Sequence, residues 1–122
     1  MLVMAAPASA TGIPEAGSRI NVGAAPATFP ADTPFHVTHG FGCGFSDVGC
    51  LVTTVSGSLF SLYVDGVLQP SQSVVLSGQE GLTKAWLTNF WDGLSAGRHT
   101  LVGVWTQNGV VLQTATATIR FN

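Results

Sequence analysis

The chain reads as an all-β protein, an antiparallel β-sandwich of seven or eight short strands. Three observations lead there. Short runs rich in Val, Thr, Leu and aromatic residues recur along the 122 residues, parted by clusters of Gly, Pro, Asn, Asp and Ser. Within these runs apolar and polar residues alternate, the two-residue period of a half-buried strand. Nowhere does an i, i+3, i+4 apolar pattern persist for three helical turns.

Residues 1–10 end in Ala8-Ser9-Ala10, which fits the small-x-small pattern of a signal cleavage site, and Leu2 to Ala6 fit the end of its apolar segment. They read either as the truncated remnant of a secretory signal or as a disordered Ala-rich tail. Residues 11–19 read as a flexible lead-in, and the alternation at Arg19-Ile20-Asn21-Val22 as a first edge strand. Pro26, Pro30 and Pro34 lack a backbone donor, which keeps this arm off the centre of any sheet.

Phe35 to Phe41 alternates and predicts a strand. After it, Cys43 and Cys50 bound a Gly-rich loop. With the export signature, a disulfide closing that loop is the leading reading, worth about 2–3 kcal/mol by loop-closure entropy. A metal site using these cysteines with His36 or His39 is the weaker alternative. Thiolate sites favour shorter spacings, and residues three apart on a strand point to opposite faces.

Leu51 to Ser56 and Leu59 to Asp65 read as the next strands; in the second, Phe60, Leu62 and Val64 oppose Ser61, Tyr63 and Asp65. Asp65-Gly66 signals a tight turn, after which Val67 to Gln69 and Ser73 to Leu76 continue the meander. Lys84 to Trp91 is a further strand carrying Trp86, Phe90 and Trp91.

The last two strands flank Asn108-Gly109, the strongest short-range hairpin signal. Two registers compete. A plain two-residue turn pairs Trp105 with Leu112 and turns Val102, Val104, Ala115, Ala117 and Ile119 inward. A bulged loop that takes in Gln107 shifts the register by one and exchanges the faces. Trp105, Leu101, Val111, Ala115, Ala117, Ile119 and Phe121 then go inward, leaving Val102, Val104, Leu112, Thr114, Thr116 and Thr118 outside. The second register is preferred here.

Composition excludes several function classes. Only 8% of residues are charged and the net charge is −2. The four cations, Arg19, Lys84, Arg98 and Arg120, form no basic stripe, which argues against nucleic acid and against an anionic membrane surface. No apolar run reaches the roughly 18 residues of a spanning helix, so no membrane insertion is expected. So few charges leave little repulsion between copies, which favours self-association.

Gly93-Leu94-Ser95-Ala96-Gly97 formally matches the G-x-S-x-G elbow of serine hydrolases. That elbow needs a strand turning into a helix, whereas Thr100 to Trp105 reads as a strand. No catalytic residue is therefore expected. The three histidines lack metal-site spacing, and Asp47, Asp65, Glu80 and Asp92 lack the D-x-D-x-D density of a calcium loop, so no metal and no cofactor is expected.

Leu94-Ser95-Ala96-Gly97-Arg98-His99-Thr100-Leu101 resembles the E–F corner and F strand of bacterial immunoglobulin-like domains, and Tyr63-Val64-Asp65-Gly66 is similar to the end of their C strand. The resemblance covers residues 20–122. It implies a Greek-key immunoglobulin-like sandwich, with His99 at the corner, bonded to backbone, and Leu101 facing the core. It implies a fold rather than an activity.

The functional expectation is a secreted or cell-surface structural or adhesive domain that self-associates through Val102, Val104, Leu112, Thr114, Thr116 and Thr118. The alternative is a module binding extracellular glycan through Trp86, Trp91 and Trp105. Aromatic faces stack on sugar rings, but they also fill cores.

Overall fold

The computed structural model describes residues 14–43, 57–78 and 81–122. Nine strands are formed there: β1 (Ser18–Ile20), β2 (Thr28–Phe29), β3 (Phe35–Cys43), β4 (Ser58–Val64), β5 (Val67–Leu68), β6 (Gln72–Gly78), β7 (Gly81–Phe90), β8 (Gly97–Gln107) and β9 (Val110–Phe121). A single 3₁₀ turn, Val22–Ala24, follows β1, with the Asn21 side chain accepting from the Gly23 N–H. The region read over Leu51–Ser56, and Cys50 with the Cys43 side chain, lie outside the described residues. So does the disulfide expected there.

The strands form two sheets, one ordered β1-β3-β7-β6 and the other β2-β9-β8-β4-β5. The all-β expectation holds, but the sheets are mixed. β1 runs parallel to β3 and β2 parallel to β9. Both parallel strands come from the proline-punctuated arm, and both sit at sheet edges, where its missing donors cost nothing. The arm is fastened early: Ala16 is buried, its N–H donates to Asn89 Oδ1, and its carbonyl bonds His36 Nδ1 at 2.6 Å.

The sheets share one core. Ile20, Phe35, Val37 and Phe90 come from the four-stranded sheet, and Leu62, Val64, Leu101, Ile119 and Phe121 from the five-stranded one. At one end the core is phenylalanine. Phe35 stacks on Phe90 with centroids 4.5 Å apart and meets Phe29 and Phe121 at 5.5 and 5.8 Å. At the other end it changes character: Phe60 stacks on both His39 and Trp105 and meets Trp86 at a tilt, with centroids 4.9 Å apart.

The hairpin register combines both sequence expectations. Asn108 (φ +51°) and Gly109 (φ +84°) make a two-residue turn, pairing Gln107 with Val110 and Thr106 with Val111. Both positive φ values match the primed turn that suits strand twist. Leu112 is then an extra residue, because the next pair is Trp105 with Gln113. This bulge shifts the remaining ladder by one, bringing Leu101 opposite Ala117 and His99 opposite Ile119. The inward row is thus the preferred one, except that Val111, expected inside, precedes the bulge and is 59% exposed.

Candidate functional site

The outer faces of the two sheets differ. On the four-stranded sheet the outward His36 and Leu87 are buried, with Ala16 laid against His36. On the five-stranded sheet the outward row is open. Cross-strand partners share a face, so its layout follows from the register. Tyr63, Val102 and Thr116 form one row, Ser61, Val104 and Thr114 the next, and Leu59, Thr106 and Val111 the third. Leu68 extends the first row from β5.

The six residues expected to form a contact face fall together here. Val102 and Val104 are half-buried in the middle, while Leu112, Thr114, Thr116 and Thr118 are exposed along β9. Leu59, Tyr63 and Leu68 enlarge the face through the β4–β8 and β4–β5 ladders, which the sequence does not reveal, and Val111, expected inside, joins it because it precedes the bulge. Four strands about 4.8 Å apart and rows spaced by strand rise give a flat area of roughly 400 Å². The rows from Val102 to Thr106 carry no charge; the Thr100 row ends at Asp65, whose N–H donates to the Thr100 carbonyl, and Arg98 and Arg120, paired across the ladder, close the same end. Among the described residues neither arginine makes a salt bridge.

Beside that end stands the corner expected around His99. Its Nε2 donates to the Ser95 carbonyl at 2.8 Å, the backbone bond expected of a corner residue, and its Nδ1 donates to Asp65 Oδ2 at 2.6 Å. The Asp65 partner was not foreseen. Asp65 occupies the first position of the tight β4–β5 turn (φ +52°), and its Oδ1 accepts from the Thr100 N–H at 2.9 Å. Both partners are acceptors, so the arrangement favours the protonated form of His99, in which both ring nitrogens donate. The Asp65 hydrogen bond raises its pKa above the ordinary 6.5. The Thr100 N–H, and then His99, hold the Asp65 carboxyl below its ordinary 3.8.

Ser95 Oγ lies 3.4 Å from His99 Nε2, so serine, histidine and aspartate are aligned in the order of a hydrolase triad. The chemistry does not follow from the alignment. A general base needs an unprotonated Nε2 aimed at the hydroxyl. Here the Nε2 proton is committed to the Ser95 carbonyl, which is closer than the hydroxyl. Ser95 also lies in the loop that carries the chain from β7 in one sheet to β8 in the other, with a strand rather than a helix after it. The arrangement ties a corner to a turn.

The three tryptophans are dispersed. Trp86 is 6% exposed in the core, Trp105 is half-buried facing inward, and Trp91 is 54% exposed just beyond β7. Trp91 follows Trp86 by five strand positions, about 17 Å at strand rise, so the three share no platform. Among the described residues no group of three or more His, Cys, Asp or Glu could hold a metal, and no helix is long and apolar enough to cross a membrane.

Comparison of the chain with protein-family models, curated proteins and solved structures finds no match.

Proposed function

We propose that the chain is a secreted, non-enzymatic immunoglobulin-like domain of structural or adhesive role, which associates with copies of itself through the outer face of the five-stranded sheet. The fold reading draws support from strand order. β1-β3-β7-β6 facing β9-β8-β4 corresponds to an A-B-E-D sheet over a G-F-C sheet, with β5 added beside C. The parallel pairing of β1 with β3 departs from the purely antiparallel scheme. His99 bonded to the backbone at the corner supports the same reading.

The observation that carries self-association is the uncharged part of the outer face from Val102 to Thr106, apolar in its middle and threonine-lined along β9. A second copy suits it because a face without charges offers nothing for an oppositely charged partner to complement, and nothing to repel its own image. Roughly 400 Å² per copy is below the 800 Å² of a standard interface. Each contact is therefore weak, and useful where many copies are held together at a surface. Sedimentation velocity from about 10 μM to about 1 mM, affinities that such an area permits, tests it. A rising weight-average coefficient supports the proposal, and a constant monomer value rejects it.

Trp91 gives the glycan reading its one favourable observation, an aromatic ring exposed on a turn. Saturable quenching of fluorescence by a glycan, lost in Trp91→Ala, would replace the first reading with this one.

A further inference from the structure

At the histidine and tryptophan end of the sandwich a hollow of about 160 Å³ opens beside β9, lined by Asn21, His39, Phe60, Trp105, Gln113 and Ala115 among others. Its origin is local. Gly103 and Ala115 are directly paired on β8 and β9 and fill little space between the sheets. The 3₁₀ turn Val22–Ala24 and β2 border β9, but β2 hydrogen-bonds only at its end, through Thr28–Arg120 and Phe29–Phe121. The inner side of β9 near Gln113 and Ala115 is therefore accessible from one side.

We propose that this hollow binds a single uncharged ring carrying a hydroxyl group. Size sets the first limit. A cavity of about 150 Å³ accommodates benzene, so one six-membered ring fits and a fused pair does not. Charge sets the second, because among the described residues no charged side chain lines the hollow and an unpaired charge there would lose its hydration without recompense. Trp105 and Phe60, stacked on each other with centroids 5.6 Å apart, give the wall an aromatic lining that suits a ring, whether through edge contacts or through the C–H bonds of a sugar.

The hydroxyl is called for by His39. Its Nε2 is buried against Gly103 and has no hydrogen-bond partner among the described residues. Burial pushes the His39 pKa down, which keeps the ring neutral. A neutral imidazole presents one donor and one acceptor, and a hydroxyl complements either tautomer because it both donates and accepts. The Gln113 amide, on the exposed side, supplies a further polar group at the rim. This site is separate from the outer face, so a protein that never self-associates would still bind the ring.

The test uses the ¹⁵N-labelled full chain, following the Trp105 indole and Ala115 backbone resonances during titration with p-cresol, methyl glucopyranoside and toluene. Saturable shifts with p-cresol identify an aromatic ligand class and with the glycoside a sugar; either supports the proposal. Ala115→Leu fills the hollow and abolishes the shifts. Should that variant not fold, His39→Phe keeps a ring in place without its polar nitrogens. It is expected to weaken the hydroxylated ligand about tenfold, the loss of one hydrogen bond, and to leave toluene unchanged. No shift with either hydroxylated ring overturns the proposal, as does undiminished binding in the folded variants.

Discussion

Gly103 is the position where addition of one methyl group is most informative. A glycine inside a strand ordinarily costs about 0.5–1 kcal/mol relative to alanine through backbone entropy, so Gly103→Ala should stabilise if space allowed. Space does not allow it. A Cβ at Gly103 would lie 2.6 Å from His39 Cε1 and 3.1 Å from Nε2. The imidazole has no easy retreat, because Phe60 stacks on it with centroids 5.5 Å apart, and Trp105 and Trp86 brace Phe60 in turn. Overpacking of this kind costs about 1–3 kcal/mol, which outweighs the entropic gain and leaves a net loss of about 1–2 kcal/mol. For a chain of this length that lowers Tm by roughly 4–8 °C. Thermal unfolding followed by circular dichroism reads it directly. In a His39→Ala background the obstacle is gone, and the same Gly103→Ala change should be neutral or stabilising, a reversal of sign that isolates the contact. An unchanged or higher Tm for the single variant would refute the reasoning.

Further outcomes follow from the corner, the buried histidine and the bulge. Asp65→Asn keeps Oδ1 for the Thr100 N–H but removes the charge facing His99. Because the folded pKa of His99 is raised, its stabilisation is complete below 6.5 and is lost as pH rises through the folded value. Because that of Asp65 is lowered, its share is complete above 3.8 and is lost as pH falls through the folded value. The stability gap between wild type and Asp65→Asn should be widest between these limits and shrink above 6.5; a gap independent of pH in urea titrations contradicts the assignment. His39 acts in the opposite sense. Its folded pKa lies below 6.5, so its effect lowers stability as pH falls below that value, and His39→Phe should flatten the acid-side decline in the same titrations. Deletion of Leu112 removes the residue with no partner across the ladder and leaves every other pair intact, so Tm should move by only a few degrees. Deletion of Thr116 instead turns a whole inward row outward, and no cooperative unfolding transition should remain.

What could be read from the chain was local. Asn108-Gly109 and Asp65-Gly66 announced their turns through the residues that tolerate positive φ, and alternation located β3, β4, β7, β8 and β9 to within a few residues. Leu101 is buried, and His99 bonds the Ser95 carbonyl. What escaped depended on partners distant in sequence. Leu112 carries no mark of being the bulged residue; its place results from Leu101, Ala115, Ala117, Ile119 and Phe121 all requiring the core, with a two-residue turn fixed at the other end. The parallel pairing of β1 and β2 arises where the arm meets β3 and β9. The contact face was seen on the hairpin alone. Leu59, Tyr63 and Leu68 join it through the β4–β8 ladder, and Asp65 reaches His99 across 34 residues by the same route.

The most direct test of the proposed function is to place charge at the middle of the uncharged face. Val104 points outward between Ser61 and Thr114, and Val104→Lys leaves the core untouched. Compared by sedimentation velocity at matched high concentration, the wild type should show concentration-dependent association and the folded lysine variant should remain monomeric. Equal association of the two proteins would contradict the account.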